Sequence, residues 1–135
     1  MSWQAYVDSS LVGSGHIDKA CIVSIAGDSV WATTSGFDLK PAELKTIATI
    51  IEESSKGSGP ASDKAFAEGL FIAGERYVVA RIDEGSLYAR QGKIGVCIAK
   101  SKQAILIGHH PEHAQAGNAT QTVQALADYL VGVGY

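Results

Sequence analysis

Residues 70–109 read LFIAGERYVVARIDEGSLYARQGKIGVCIAKSKQAILIGH, and their reading decides the fold. Apolar runs at Leu70 to Ala73, Arg76 to Asp83, Ser86 to Arg90, Ile94 to Lys100 and Gln103 to His109 are separated by Gly74-Glu75, Glu84-Gly85, Gly92-Lys93 and Ser101-Lys102. Links this short join only antiparallel neighbours, so the stretch is a meander. Upstream, Lys19 to Ile25 reads as a strand buried on both faces. Ala26-Gly27-Asp28 is a turn, and Ser29 to Thr34 is the partner strand of a hairpin. Together they predict a central antiparallel sheet of six or seven strands in an α/β (α+β) domain.

Helical spacing appears on either side of these strands. Ser2 suits a helix N-cap, and Trp3, Val7 and Leu11 recur at four-residue spacing, which predicts a helix over 3–11. Gly13-Ser14-Gly15 breaks it. Pro41 opens a second helix, with Glu43 at its positive end and Leu44, Ile47, Ala48 and Ile51 on one stripe as far as about Glu53. Ser54 to Asp63 reads as a surface loop. The last helix runs from about Asn118 to Gly132, with Ala119, Val123, Leu126, Leu130 and Val133 on one face. Its opposite face carries Thr120, Gln121, Gln124 and Asp128. So little charge on a solvent-facing side marks either a contact, since interfaces are poor in Lys and Glu, or simply a weakly charged surface.

The bulk numbers bound the rest. A chain of 135 residues is the usual size of one domain, expected here over 1–135. With 46% hydrophobic and 19% charged residues it has the means to form a core. A net charge of -3 gives no global attraction to nucleic acid. The charge is uneven: residues 1–68 carry five Lys/Arg against nine Asp/Glu, and residues 69–135 six against five. An anionic ligand is therefore expected on the second half. Cys21 and Cys97 lie in apolar runs and read as buried thiols in a reducing compartment. No signal-peptide pattern or membrane-length run is visible. A cytoplasmic protein is expected.

Chemistry is suggested at several places and argued against at each. Gly27-Asp28-Ser29-Val30 resembles the nucleophile motif of the Gly-Asp-Ser-Leu hydrolases, which makes a small esterase using Ser29 the alternative reading. That chemistry needs a His oriented by a carboxylate, and the Asp-x-x-His expected toward the C-terminus is missing. His109, His110 and His113 cluster around Pro111, but adjacent histidines on a strand point to opposite faces. They are read as solvated loop residues, with no metal site and no cofactor expected. Gly13-x-Gly15 and Gly57-x-Gly59 lack the strand and helix that a phosphate loop requires. Glu52-Glu53 and Asp83-Glu84 read as solvated carboxylates.

What remains is a set of surface features. Aromatic residues mark both ends of the chain, Trp3 and Tyr6 at one, Tyr129 and Tyr135 at the other, and Trp31 lies on an early strand. Flat rings along a shallow groove suit a polyproline II ligand, which is already extended and loses little entropy on docking. The rings' O–H and N–H groups would donate to its carbonyls. The plainer reading places Trp3, Tyr6 and Trp31 in the core. Arg76, Arg81 and Arg90 mark the late strands.

Four blocks in order, Ser2-Trp3-Gln4-Ala5-Tyr6-Val7-Asp8, Ala26-Gly27-Asp28-Ser29-Val30-Trp31-Ala32, Ser86-Leu87-Tyr88-Ala89-Arg90 and Ala127 through Tyr135, resemble profilin of the fungal or amoeboid kind. The resemblance runs nearly end to end. It implies a non-enzymatic protein that binds monomeric actin, proline-rich segments of assembly factors such as formins, and phosphoinositide head groups. It also implies N- and C-terminal helices side by side on one face of the sheet, with a further helix on the other.

Carried over residue by residue, the resemblance implies a polyproline groove of Trp3, Tyr6, Trp31, Tyr129, Leu130 and Tyr135. It implies an actin face of Arg76, Arg81, Arg90, Gly117, Asn118, Thr120, Gln121 and Gln124. Phosphoinositides are expected on Arg81, Arg90, Lys93 and Lys100, in competition with actin. No nucleic-acid partner is expected, and the protein is expected to be a monomer. Ser54 to Asp63 is longer than the family's usual connection on the actin side. A related module that has lost actin binding is therefore a further alternative.

Overall fold

The computed structural model describes residues 2–57, 59–83 and 85–135. Seven strands form the sheet: β1 (Lys19–Ser24), β2 (Val30–Thr33), β3 (Leu70–Ile72), β4 (Glu75–Asp83), β5 (Ser86–Gln91), β6 (Ile94–Lys100) and β7 (Ala104–His110). Their order is β2-β1-β7-β6-β5-β4-β3, and every described pairing is antiparallel. The meander from β3 to β7 therefore holds as expected, and β1 returns beside β7 to carry β2 to the edge. Glu84, of the expected Glu84-Gly85 turn and of the Asp83-Glu84 pair, lies outside the described residues, as do Met1 and Ser58.

Helices cover both faces. On one face the N-terminal segment and α4 (Ala116–Gly132) enclose Val7, Leu11, Ile22, Leu106, Val123, Leu126 and Leu130. The two terminal helical segments pack on each other and on the sheet. On the other face α2 (Pro41–Ser54) and α3 (Pro60–Glu68) cover Val23, Leu70, Val79, Ile98, Ile105 and Ile107. Each fully buried aliphatic side chain contributes about 1.5–3 kcal/mol relative to an exposed one. Val133 was expected on the buried face of α4, but the helix stops at Gly132 and Val133 is exposed.

The N-terminal segment departs from a regular helix. α1 (Trp3–Ala5) passes into a π-helical turn over Tyr6–Leu11 and a 3₁₀ turn over Val12–Ser14. Ser2 caps it as expected, its Oγ accepting from the Ala5 N–H at 3.2 Å. Val7 and Leu11 are buried and Trp3 half-buried. The apolar face therefore survives the wider winding.

The expected loop at Ser54 to Asp63 is corrected. Ser54 is the last residue of α2, and α3 begins at Pro60. Its signals were in the sequence: Pro60 at the first helical position, Asp63 in the first turn and Gly69 after the last turn. Glu53 joins the two helices by accepting from the Ala61 N–H at 3.2 Å, the Ser62 N–H at 3.0 Å and the Ser62 hydroxyl at 3.1 Å. It is not the freely solvated carboxylate the sequence suggested. The Ser62 N–H is the main cause holding the Glu53 carboxyl below its ordinary value of 4.5. A lowered folded-state value stabilises the fold above the unfolded value and is lost as pH falls through the folded one. Glu53→Gln is therefore expected to lower the urea midpoint at pH 7. At pH 3 the gap from the parent should narrow.

Gly27 explains the Gly-Asp-Ser turn without catalysis. It has φ +74, and a Cβ there would stand 2.6 Å from the Leu44 carbonyl oxygen and 2.9 Å from Ala48 Cβ. The hairpin turn thus packs directly on α2, and only glycine allows it. Among the described residues, no helix is long and apolar enough to cross a membrane.

Candidate functional site

The aromatic residues from the two chain ends meet. Trp3 lies 5.6 Å from Tyr6, 4.7 Å from Trp31 and 5.2 Å edge-on from Tyr135, ring centroid to ring centroid. Tyr6 continues to Tyr129 at 6.2 Å. The rings stay open to solvent: Tyr129 is 54% and Tyr135 45% exposed, while Trp3, Tyr6 and Trp31 are half-buried. Burial first, then a hydrogen bond to Tyr129, pushes the Tyr6 hydroxyl above its ordinary value.

Hydrogen bonds to backbone carbonyls set this geometry. The Gln4 side-chain amide donates from Nε2 to the Thr33 carbonyl at 3.1 Å, tying the N-terminal segment to β2 beside Trp31. The Tyr135 N–H donates to the Leu130 carbonyl at 2.8 Å, and the Tyr135 carbonyl accepts from the Ser101 hydroxyl at 2.6 Å. Leu130 itself is 0% exposed. It was expected as a groove contact. It lies instead beneath the rings as part of the core, and shapes the groove through its packing and its carbonyl.

A second surface is built by β4, β5 and α4. Arg81 joins Gly117, Thr120, Gln121 and Gln124 around one concavity, with Ala80, Tyr88 and Asp128. Exposed Asn118 adjoins it on the first turn of α4. Arg76 and Arg90 share a neighbouring depression with Val78 and Gly92. A bulge makes the arginines converge. Five positions separate Arg76 from Arg81, which in a regular strand would put them on opposite faces. The register shifts between Val79 and Arg81, so that Arg81 pairs with Tyr88 as Val78 pairs with Arg90. An extra residue of this kind re-aims a strand, and Arg81 joins Arg76 and Arg90.

The same open face shows what the sequence reading missed. Phe71 pairs with Arg76 on β3, and Val78 pairs with Arg90. Both apolar side chains are more than half exposed. The signal was available as apolar residues sharing strand parity with the arginines, but parity could not be used without the edge pairing and the bulge.

The lysines do not gather as expected. Lys93 follows Gly92 at the β5–β6 turn and faces Glu112 at 3.5 Å. Lys100 ends β6, about 20 Å along the strand at the usual rise. It pairs with Ile105, which packs with the α2 side of the core, and its stem lies over Gly85. Lys100 therefore belongs to the opposite face from Arg81 and Arg90.

The remaining chemistry resolves into structure. His109 and His110 are buried, not solvated, because the strand extends to His110. They do point to opposite faces: His109 Nδ1 meets Asp18 Oδ1 at 2.6 Å, and His110 Nε2 meets the Tyr88 hydroxyl at 2.9 Å. Ser29 lies beyond the far end of β1 from the Asp18–His109 pair, and its neighbour Asp28 accepts from the Ser24 hydroxyl at 2.7 Å. That hydrogen bond is the main cause lowering the Asp28 carboxyl. Among the described residues, no carboxylate–histidine pair is thus placed to activate Ser29. Both cysteines are buried, which pushes their thiols up to about 11.

An antiparallel sheet covered by helices, with an exposed aromatic cluster and an open arginine-bearing face, has the form of a small α/β binding protein. The profilin family model matches residues 1–135. The chain is 46% identical to profilin of Schizosaccharomyces pombe and 44% identical to that of Saccharomyces cerevisiae, each over the whole of both chains. A solved S. pombe profilin structure superposes with a TM-score of 0.90 over 99% of this chain and 100% of that one. Mouse profilin IIa in complex with a double repeat from the FH1 domain of mDia1 has the same fold, with a TM-score of 0.77 at 23% identity over all of both chains. The chain belongs to the profilin family: it is an actin-binding regulator of the cytoskeleton, and not an enzyme.

Proposed function

We propose that this chain, as one domain over 1–135 and as a monomer in the cytoplasm, joins actin monomers to proline-rich segments of assembly factors. The observation that carries the reading is the run of rings from Tyr129 through Tyr6 and Trp3 to Tyr135 and Trp31. Its three steps of 6.2, 5.6 and 5.2 Å would reach at most roughly two turns of a polyproline II helix, were the rings in line. Proline rings would lie between the aromatic faces, and the Trp N–H and Tyr O–H groups would donate to carbonyls that such a helix leaves free. The groove is then Trp3, Tyr6, Trp31, Tyr129 and Tyr135.

The actin face is Arg76, Arg81, Arg90, Gly117, Asn118, Thr120, Gln121 and Gln124, and we include in it Phe71, Val78 and Tyr88, which lie beside those residues. Apolar residues ringed by arginines fit an acidic protein partner, with the apolar contacts giving affinity and the charges steering. Phosphoinositide head groups take Arg81 and Arg90 on that face, with Lys93 reaching from the β5–β6 turn, and compete with actin. Lys100 is left out because it lies on the other face.

Titration with a polyproline peptide of ten residues, followed by Trp3 and Trp31 fluorescence, tests the groove. A saturable change is expected with ten prolines and a much weaker one with three, too short to cross the rings. The absence of any change at millimolar peptide would refute it.

A further inference from the structure

Tyr88, on β5, pairs with Cys97 on β6 and with Arg81 on β4. Its ring lines the concavity that also takes Arg81, Thr120, Gln121 and Gln124, while its hydroxyl reaches inward. There the hydroxyl meets Nε2 of His110 at 2.9 Å, with the two rings parallel to within 1° and 5.9 Å between centroids. His110 is 2% exposed. Its other nitrogen, Nδ1, lies 3.0 Å from the Pro111 carbonyl. A carbonyl only accepts, so Nδ1 donates to it, and in the neutral ring Nε2 then accepts from Tyr88.

Gly95 completes the arrangement. It sits opposite His110 in register on β6, and a Cβ there would stand 2.6 Å from His110 Nε2 and 2.7 Å from the Tyr88 hydroxyl oxygen. The missing side chain is the space in which the hydrogen bond forms. Three neighbouring strands thus supply a donor, an acceptor and room between them.

We propose that His110 is a positioning residue for the actin face, fixing the Tyr88 ring as the floor of the concavity between α4 and β4. The proposal rests on the assignment of that concavity to actin. A tyrosine hydroxyl buried without an acceptor is costly. Without His110 the hydroxyl swings toward water, which lifts the ring into the space between Arg81 and the Gln121–Gln124 side of α4. The aromatic groove uses other residues and is left unchanged.

The experiment is a double-mutant cycle of His110→Phe and Tyr88→Phe, measuring thermal unfolding, actin-monomer affinity and polyproline affinity of each variant. His110→Phe is expected to weaken actin binding about tenfold and polyproline binding less than twofold. Tyr88→Phe is expected to weaken actin binding at least threefold, because it strands the His110 lone pair. The double variant should bind actin no more weakly than Tyr88→Phe alone, since neither unpaired group remains. A lower melting temperature with parental actin affinity would overturn the proposal. So would an equal loss for both ligands, or single effects that simply add. Should His110→Phe not fold, Tyr88→Phe decides by the same split between the two ligands. Arg81→Glu is run alongside. If it leaves actin affinity intact, the face itself is wrongly assigned and the proposal falls with it. If it weakens actin while His110→Phe does not, only the positioning role fails.

Discussion

Trp3→Ala is expected to abolish polyproline binding while leaving actin binding within about twofold of the parent. Trp3 touches Tyr6, Trp31 and Tyr135 and is the junction of the ring cluster. Removing a central aromatic anchor from an interface costs about 2–4 kcal/mol, or roughly 30- to 1000-fold in affinity. Removing Tyr129 at the end of the run should cost less, since it meets only Tyr6 in the cluster and is more than half exposed. The measurement is peptide titration by Trp31 fluorescence, with actin affinity and the circular dichroism spectrum as controls. Parental peptide affinity in a folded Trp3→Ala variant would show that the rings are packing partners and not a ligand surface. Loss of both affinities would instead mean that Trp3 holds the fold, since the actin face lies on β4, β5 and α4.

That the two ends of the chain meet came from the family resemblance; what the spacing made legible was that each end carries an apolar stripe needing cover. Val7 and Leu11 on one segment and Val123, Leu126 and Leu130 on the other are apolar at helical spacing. Each stripe has to be covered, and the sheet face between them covers both. Strand boundaries were legible for the same reason, because glycine and charged pairs interrupt the apolar runs. What was not legible depends on pairing or on neighbours remote in sequence. The bulge after Val79 leaves no local mark, yet it decides that Arg81 shares a face with Arg90. The burial of His110 follows from the absence of a side chain at Gly95, 15 positions away. Lys100 seemed to belong with the basic strands because charge was counted along the chain, and a strand turns alternate residues to opposite faces. Leu130 was placed in the groove by the family resemblance. On a helix, adjacent residues point about 100° apart, and Leu130 points inward.

The same alternation makes the second large effect specific. Arg90→Glu is expected to weaken actin-monomer binding by about 30-fold or more, whereas Lys100→Glu stays within about twofold of the parent. Arg90 lies beside Arg76 and Val78 in the open depression, on the same face as Arg81. Reversing its charge removes a favourable contact with an acidic partner and sets like charges together, which costs roughly 2 kcal/mol or more. Lys100 changes the net charge by the same amount from the opposite face, so it separates a local contact from a general loss of steering. Between 50 and 200 mM salt the parent's association rate should fall more steeply than that of Arg90→Glu, because the steering charge is screened within a Debye length of about 8–10 Å. Polyproline affinity should be unchanged in both variants. Inhibition of actin polymerisation equal for the parent and Arg90→Glu would remove Arg90 from the contact. Equal losses for Arg90→Glu and Lys100→Glu would mean that overall charge, and not the bulged strand and its neighbours, governs the encounter.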